Sequence, residues 1–163
     1  TMKKMNWLPK MSLNYCTGYQ DPMIAKQLGE DGEYFMGGTG YSPQFADLMP
    51  AVAAVDEIYK EITDPSVPFD SDSIKEAAAM MVLAQAIDKA GSLEHDKIAE
   101  TLHGNTWEAP LTLAGEVAFA PGGQNKLAMS YLTQLQGGEY KIIYPPEVAN
   151  SEVVFPMVPW EER

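Results

Sequence analysis

Cysteine is nearly absent from this sequence. Cys16 is the single one, so no internal disulfide is available, and no CxxC or Cys/His cluster exists to hold zinc. A lone cysteine suits the cytosol, or an exported protein that folds without disulfides. Basic residues are scarce as well: 11 against 23 acidic ones, a net charge of −12. Such a surface repels phosphate backbones and anionic lipid, which argues against nucleic-acid binding and against a membrane-surface role. No run approaches the ~18 apolar residues that a bilayer span requires; the best, Ala77 to Ala84, is far too short. The start, Thr1-Met2-Lys3-Lys4 followed by Asn-Trp-Leu-Pro, is not the apolar stretch of a signal peptide, and a processed or truncated chain would also lack one.

What is present is an ordinary globular balance, 45% apolar and 21% charged, in 163 residues, enough for one domain and short for two. MSLNYC, residues 11 to 16, alternates as a short strand does. Asp21-Pro22 places a cap before a proline at the first helical position, and Gly29 closes that helix. EYFMG, residues 33 to 37, is a second strand candidate. A helix is predicted from Ser42-Pro43 to about Thr63, with Phe45, Leu48, Val52, Val55, Ile58 and Ile62 on one face and Pro50 kinking it or splitting off a first turn. TDPSVPFDSDS, residues 63 to 73, reads as a linker or hinge. Residues 73 to 90 form a helix that is apolar around much of its circumference, which predicts burial on more than one side. Ser92 caps a further helix ending at Gly104. Strands follow at LTLAGEVAF, MSYLTQLQ and EYKIIY, the last two joined by Gly137-Gly138 as a hairpin. From Pro145 the tail lacks periodicity and is expected to wrap a surface. The predicted class is α/β with a mostly parallel sheet.

The glycine-rich stretch FMGGTGYS invites a phosphate-loop reading, and its residues refuse it. No lysine follows Gly40, and Gly38-Thr39-Gly40 is continued by Tyr41, Ser42 and Pro43, so neither the P-loop nor the dinucleotide fingerprint is met. There is no GxSxG elbow, no HExxH and no DxDxDG, so no catalytic residue, metal or cofactor is predicted. His103 falls in a last helical turn, where it suits the helix dipole. What remains is the loop after the first strand, Asn14, Tyr15, Cys16, Thr17, Gly18 and Tyr19, with Tyr41 after the second. Ligands in open α/β sheets bind at the carboxyl ends of strands. The alternative is that these tyrosines only cover the sheet end.

The order of elements resembles a family. AAAMMVLAQAIDKAGSLEHDKIAETLHG is similar to the late helices of type I periplasmic solute-binding proteins, the branched-chain amino-acid receptors of ABC transporters. LAGEVAFAPGGQNK resembles their G-x-V-x-F-x-x-x-G hairpin, at Gly115, Val117, Phe119 and Gly123. TQLQGGEYKIIYPP resembles their closing segment, with Gln134, Gly138 and Pro145. MNWLPKMSLNYCTGYQDPMIAKQLGEDGEY matches the strand, ligand loop and short helix of the second lobe. The resemblance covers only the carboxyl-terminal half of such a receptor. It implies a type I periplasmic-binding-protein fold, incomplete here, with 1–64 in lobe two, a hinge crossing at 65–70, 71–127 in lobe one, and 128–163 returning to lobe two. It also implies a non-enzymatic, periplasmic substrate-binding component of an uptake transporter, closing by hinge motion on a small organic solute of amino-acid or aromatic-acid type. The implied solute contacts are Tyr15, Cys16, Thr17, Tyr19 and Tyr41. The implied partners are a membrane permease and either the missing amino-terminal half or a second copy. Family members that bind α-amino acids often carry an acidic residue in this first loop; here the position falls near Thr17, which favours a less cationic or aromatic solute. A ligand-sensing regulatory domain or an α/β enzyme of similar fold is the alternative.

Overall fold

The computed structural model describes every residue of the chain except Cys16, and of Thr17 it describes the backbone. It divides into two compact units, one of residues Thr1–Thr39 with Ser130–Arg163, the other Gly40–Met129. The chain therefore passes between units at 39/40 and 129/130, and residues 65–70 lie inside the second unit.

The first unit is built on a four-stranded sheet. Its strands are β1 (Leu13–Tyr15), β2 (Met36–Thr39), β5 (Tyr131–Gln136) and β6 (Glu139–Tyr144), in the order β1-β2-β5-β6. Among the described residues parallel pairing is confined to β1–β2, with Tyr15 opposite Gly38, whereas β2–β5 and β5–β6 are antiparallel. Gly137 and Gly138, at φ 64° and 79°, supply the left-handed turn that a two-residue hairpin needs, and such a turn makes β5 and β6 antiparallel. Their backbone N–H groups both donate to the Glu33 carboxylate, at 2.8 and 2.7 Å. Between β1 and β2 runs α1 (Pro22–Leu28). Its Asp21 cap accepts from the Met23 N–H at 2.7 Å and Pro22 opens the first turn, as the sequence predicts.

The core of this unit is β5. Tyr131, Thr133, Gln134 and Leu135 are buried, and Gln134 is the unusual member. Its Nε2 donates to the carbonyls of Tyr34 and Val154 at 3.1 and 3.0 Å, and its Oε1 accepts from the Val154 N–H at 2.8 Å. The buried amide thus satisfies itself by holding the carboxyl-terminal tail. That tail does wrap a surface: Met157 N–H donates to Lys10 O, Trp160 Nε1 donates to Trp7 O, and Arg163 stacks on Trp160 at 3.9 Å.

The second unit is mainly helical. Ser42 caps a short 3₁₀ turn, Pro43–Phe45, and α2 begins separately at Pro50 and ends at Ile62. Pro50 therefore occupies a helix's first turn, where its missing N–H costs nothing, instead of kinking a longer helix. Then come α3 (Ser71–Ala90), α4 (His95–His103), and an antiparallel pair, β3 (Thr106–Glu108) with β4 (Glu116–Ala118). Asp70 caps α3 by accepting from the N–H and hydroxyl of Ser73, and Gly91 ends it at φ 58°. The core joins Val82, Ala86, Trp107, Ala109 and Val117.

Two expectations change here. The helix α3 buries one face only: Ile74, Ala78, Val82 and Ala86 recur at helical spacing, while Met80 is 62% exposed and Met81 and Leu83 are exposed beside it. Its all-round apolar character needs a second packing layer that the described residues do not supply. The predicted strand LTLAGEVAF is regular only over Glu116–Ala118, because Leu111 to Gly115 form the turn that brings it back on β3; Thr112 N–H donates to Ala109 O and Gly115 N–H to Thr112 O.

Candidate functional site

The loop that follows β1 is laid on β2, and the glycines of β2 are what let it lie there. Glycine inside a strand often marks a place where other atoms come close. A Cβ on Gly37 would stand 2.4 Å from Gln20 Cγ and 3.0 Å from the Tyr19 carbonyl; one on Gly38 would stand 2.7 Å from Tyr15 Cδ2. FMGGTG is thus neither a phosphate loop nor, at Gly37 and Gly38, a turn. These two glycines are strand residues seated under Gln20 and Tyr15, and the space their hydrogens leave is filled by the protein itself.

Tyr15 ends β1 with its side chain 64% exposed, its ring edge against Gly38 and its hydroxyl sharing a 2.5 Å hydrogen bond with Ser130 Oγ. Thr17 opens a 3₁₀ turn, Thr17–Tyr19. Tyr19 stacks on the buried Phe35, ring centroids 5.1 Å apart, so much of its ring is committed to packing. Cys16, also predicted to meet a solute, lies outside the described residues. Gln20 completes the loop. It is buried, its Oε1 accepts from the Tyr131 hydroxyl at a long 3.5 Å, and its Nε2 has no partner among the described residues. Asp21, the first carboxylate after the loop, is occupied as the cap of α1.

Tyr41 belongs to the second unit. There it lines an apolar pocket of 270 Å³ with Ala78, Val82, Leu83, Leu102, Val117 and Phe119. Burial pushes its hydroxyl pKa up, and the charge of Lys75 partly offsets this. The structure thus gathers Tyr15, Thr17 and Tyr19 on one loop and assigns Tyr41 to a different packing unit. Sequence reasoning missed Gln20 and Ser130; the Gly-Gly pair inside a strand was the available signal for the first. Among the described residues no three His, Asp or Glu side chains gather as metal ligands, and no helix is long and apolar enough to cross a membrane.

No protein-family model and no curated protein matches the chain. Solved structures do match it. A leucine-binding protein from Thermotoga maritima MSB8 is 23% identical with a TM-score of 0.63, covering 83% of this chain and 37% of that one. An ABC-transporter substrate-binding protein from Aeropyrum pernix is 17% identical with a TM-score of 0.63, covering 85% of this chain and 39% of that one. A branched-chain amino-acid ABC transporter protein from Thermus thermophilus, solved with bound valine, is 14% identical with a TM-score of 0.60, covering 99% and 43%. This chain spans between 37% and 43% of the length of these three structures. At such identities the likeness speaks for the fold, and the fold is that of part of a type I periplasmic binding protein.

Proposed function

We propose that this chain is part of the substrate-binding component of an ABC-type uptake transporter, acting outside the cytoplasmic membrane and handing a small organic solute to a permease. The observation that carries the reading is the loop Tyr15–Tyr19. It stands at the carboxyl end of the parallel pair β1–β2, in a fold shared with a leucine-binding protein and with a protein solved with bound valine. Solute binding is non-catalytic and proceeds by hinge closure, with the passages at 39/40 and 129/130 as the places where the backbone turns. Tyr15, Cys16, Thr17, Tyr19 and Tyr41 are the proposed contacts. The rest of the cleft comes from the missing half of such a receptor or from a second copy. The exposed apolar side of α3 and the edge strand β1, all three of whose residues are exposed, support that need for a partner.

The solute class follows from charge. No carboxylate lies between Asn14 and Gln20, and Asp21 is engaged as a helix cap. A free ammonium group finds no counter-charge on this loop, so a less cationic or aromatic solute, whose ring can stack on tyrosine, fits better than a branched-chain amino acid. Thermal unfolding of the chain in the presence of 4-hydroxybenzoate, benzoate, L-leucine or L-valine tests this. A rise in Tm with the aromatic acids and none with the amino acids is expected. A rise with leucine or valine alone overturns the solute class, and no rise with any probe counts against solute binding by this chain.

A further inference from the structure

Two side chains of the loop grip the strands by which the chain leaves and re-enters the first unit. Thr39 is the last residue before the outgoing passage, and Ser130 and Tyr131 are the first two after the return. These passages are neighbours, since β2 and β5 pair with Thr39 opposite Tyr131 and Gly38 opposite Leu132. At the near end of the loop the Tyr15 ring lies on Gly38 while its hydroxyl holds Ser130. At the far end Gln20 lies on Gly37 and takes the hydroxyl hydrogen bond of Tyr131. One loop is therefore fastened at both ends to both passages.

We infer that Tyr15 and Gln20 are positioning residues that couple the state of the loop to the two passages between units, through Ser130 and Tyr131. The fastening is asymmetric. Tyr15 is exposed, so a solute can compete for its ring and hydroxyl. Gln20 is buried, its bond to Tyr131 is long, and its Nε2 donor has no partner among the described residues, so it has hydrogen-bonding capacity to spare. A buried donor without a partner is costly, which leaves Gln20 ready to rearrange when the loop shifts. Engaging Tyr15 then loosens the Ser130 end and passes strain to the Gln20–Tyr131 end, at the points where the backbone would turn. The inference rests on the solute-binding reading for its biological meaning, and the coupling itself is measurable without any solute.

The test is amide hydrogen exchange across the full 163-residue chain for wild type, Tyr15→Phe, Ser130→Ala, their double variant and Gln20→Met. Tyr15→Phe keeps the ring on Gly38 and removes only the hydroxyl. Exchange at residues 38–41 and 130–133 is expected to quicken roughly three- to tenfold in each of the first two variants, as for one lost hydrogen bond. The double variant should quicken no further, because both changes remove the same bond. Gln20→Met should act on the same two segments. Faster exchange confined to residues 13–20, additive effects in the double variant, or no change at 38–41 and 130–133 overturns the coupling. Repeating the measurement with 4-hydroxybenzoate and with L-leucine separates the two readings. If neither probe alters exchange anywhere in wild type, the solute reading fails and the variant pattern still decides the coupling. If a probe binds and changes exchange at 38–41 equally in wild type and Ser130→Ala, the coupling fails and the solute reading stands.

Discussion

Each of the two units is held together internally by different physics. The second is a continuous segment whose helices carry their own caps and meet in a small apolar core around Val82, Ala86 and Trp107. The first is assembled from the two ends of the chain, and polar side chains do much of the joining: Gln134 to the Tyr34 carbonyl, Glu33 to Gly137 and Gly138, and the Tyr140 hydroxyl to the Asp21 carbonyl. A local unit needs little beyond periodicity and caps. A unit closed over a separation of about a hundred residues pays a loop-closure entropy that must be met by specific contacts between distant segments.

The contrast can be broken from either side. In the second unit, Trp107→Ala removes the largest core side chain together with the hydrogen bond from its Nε1 to Leu102 O. A loss of about 4 kcal/mol is expected. Urea unfolding read by the remaining tryptophans, Trp7 and Trp160, shows whether the first unit survives it. In the first unit, Gln134→Leu leaves the Val154 N–H and the Tyr34 and Val154 carbonyls without their partner, for about 3 kcal/mol. Proteolysis should then cut the tail first; a tail that stays protected would mean that its other contacts suffice.

Gly37→Ala sharpens the contrast within the loop. The new Cβ meets Gln20 Cγ and the Tyr19 carbonyl, a backbone atom that cannot swing away, so about 2 kcal/mol is expected. Gly122→Ala, open on all sides and at ordinary φ, is the control and should change stability little. A pH measurement gives a smaller effect. Burial, helped by the charge of Asp21, pushes the Tyr140 hydroxyl up to about 12. Because the folded pKa lies above the unfolded one near 10, this contribution is whole below pH 10 and is lost as pH rises toward 12. Tyr140→Phe should flatten that alkaline decline in a denaturant series. The smallest effect is expected from Met80→Lys, within about 0.5 kcal/mol, because the residue is exposed. If the substitution instead destabilises the purified sample, or splits an assembly seen by sedimentation, α3 is covered by a partner.

Much of the second unit was legible in the sequence. Asp70, Gly91 and the apolar spacing of Ile74, Ala78, Val82 and Ala86 mark α3 without reference to anything distant. Ser42-Pro43 and Pro50 each mark a start, and the chain uses them for two separate elements. The strand Thr106–Glu108 was not legible, since three residues are too short for a period. In the candidate site, the tyrosines were found by their place after a strand. Gln20 and Ser130 were not, because what matters about each is a residue far along the chain.

By itself the sequence determined the helices, the hairpin at Gly137-Gly138, the cap at Asp21 and the acidic surface, since each is decided by residues within a few positions of one another. Tertiary structure alone decided that β2 pairs with β5, that Gly37 and Gly38 are seats for Gln20 and Tyr15, and that a buried glutamine holds the tail. Those are contacts between segments distant in sequence, and no local periodicity encodes which distant backbone will arrive to fill the space a missing side chain leaves.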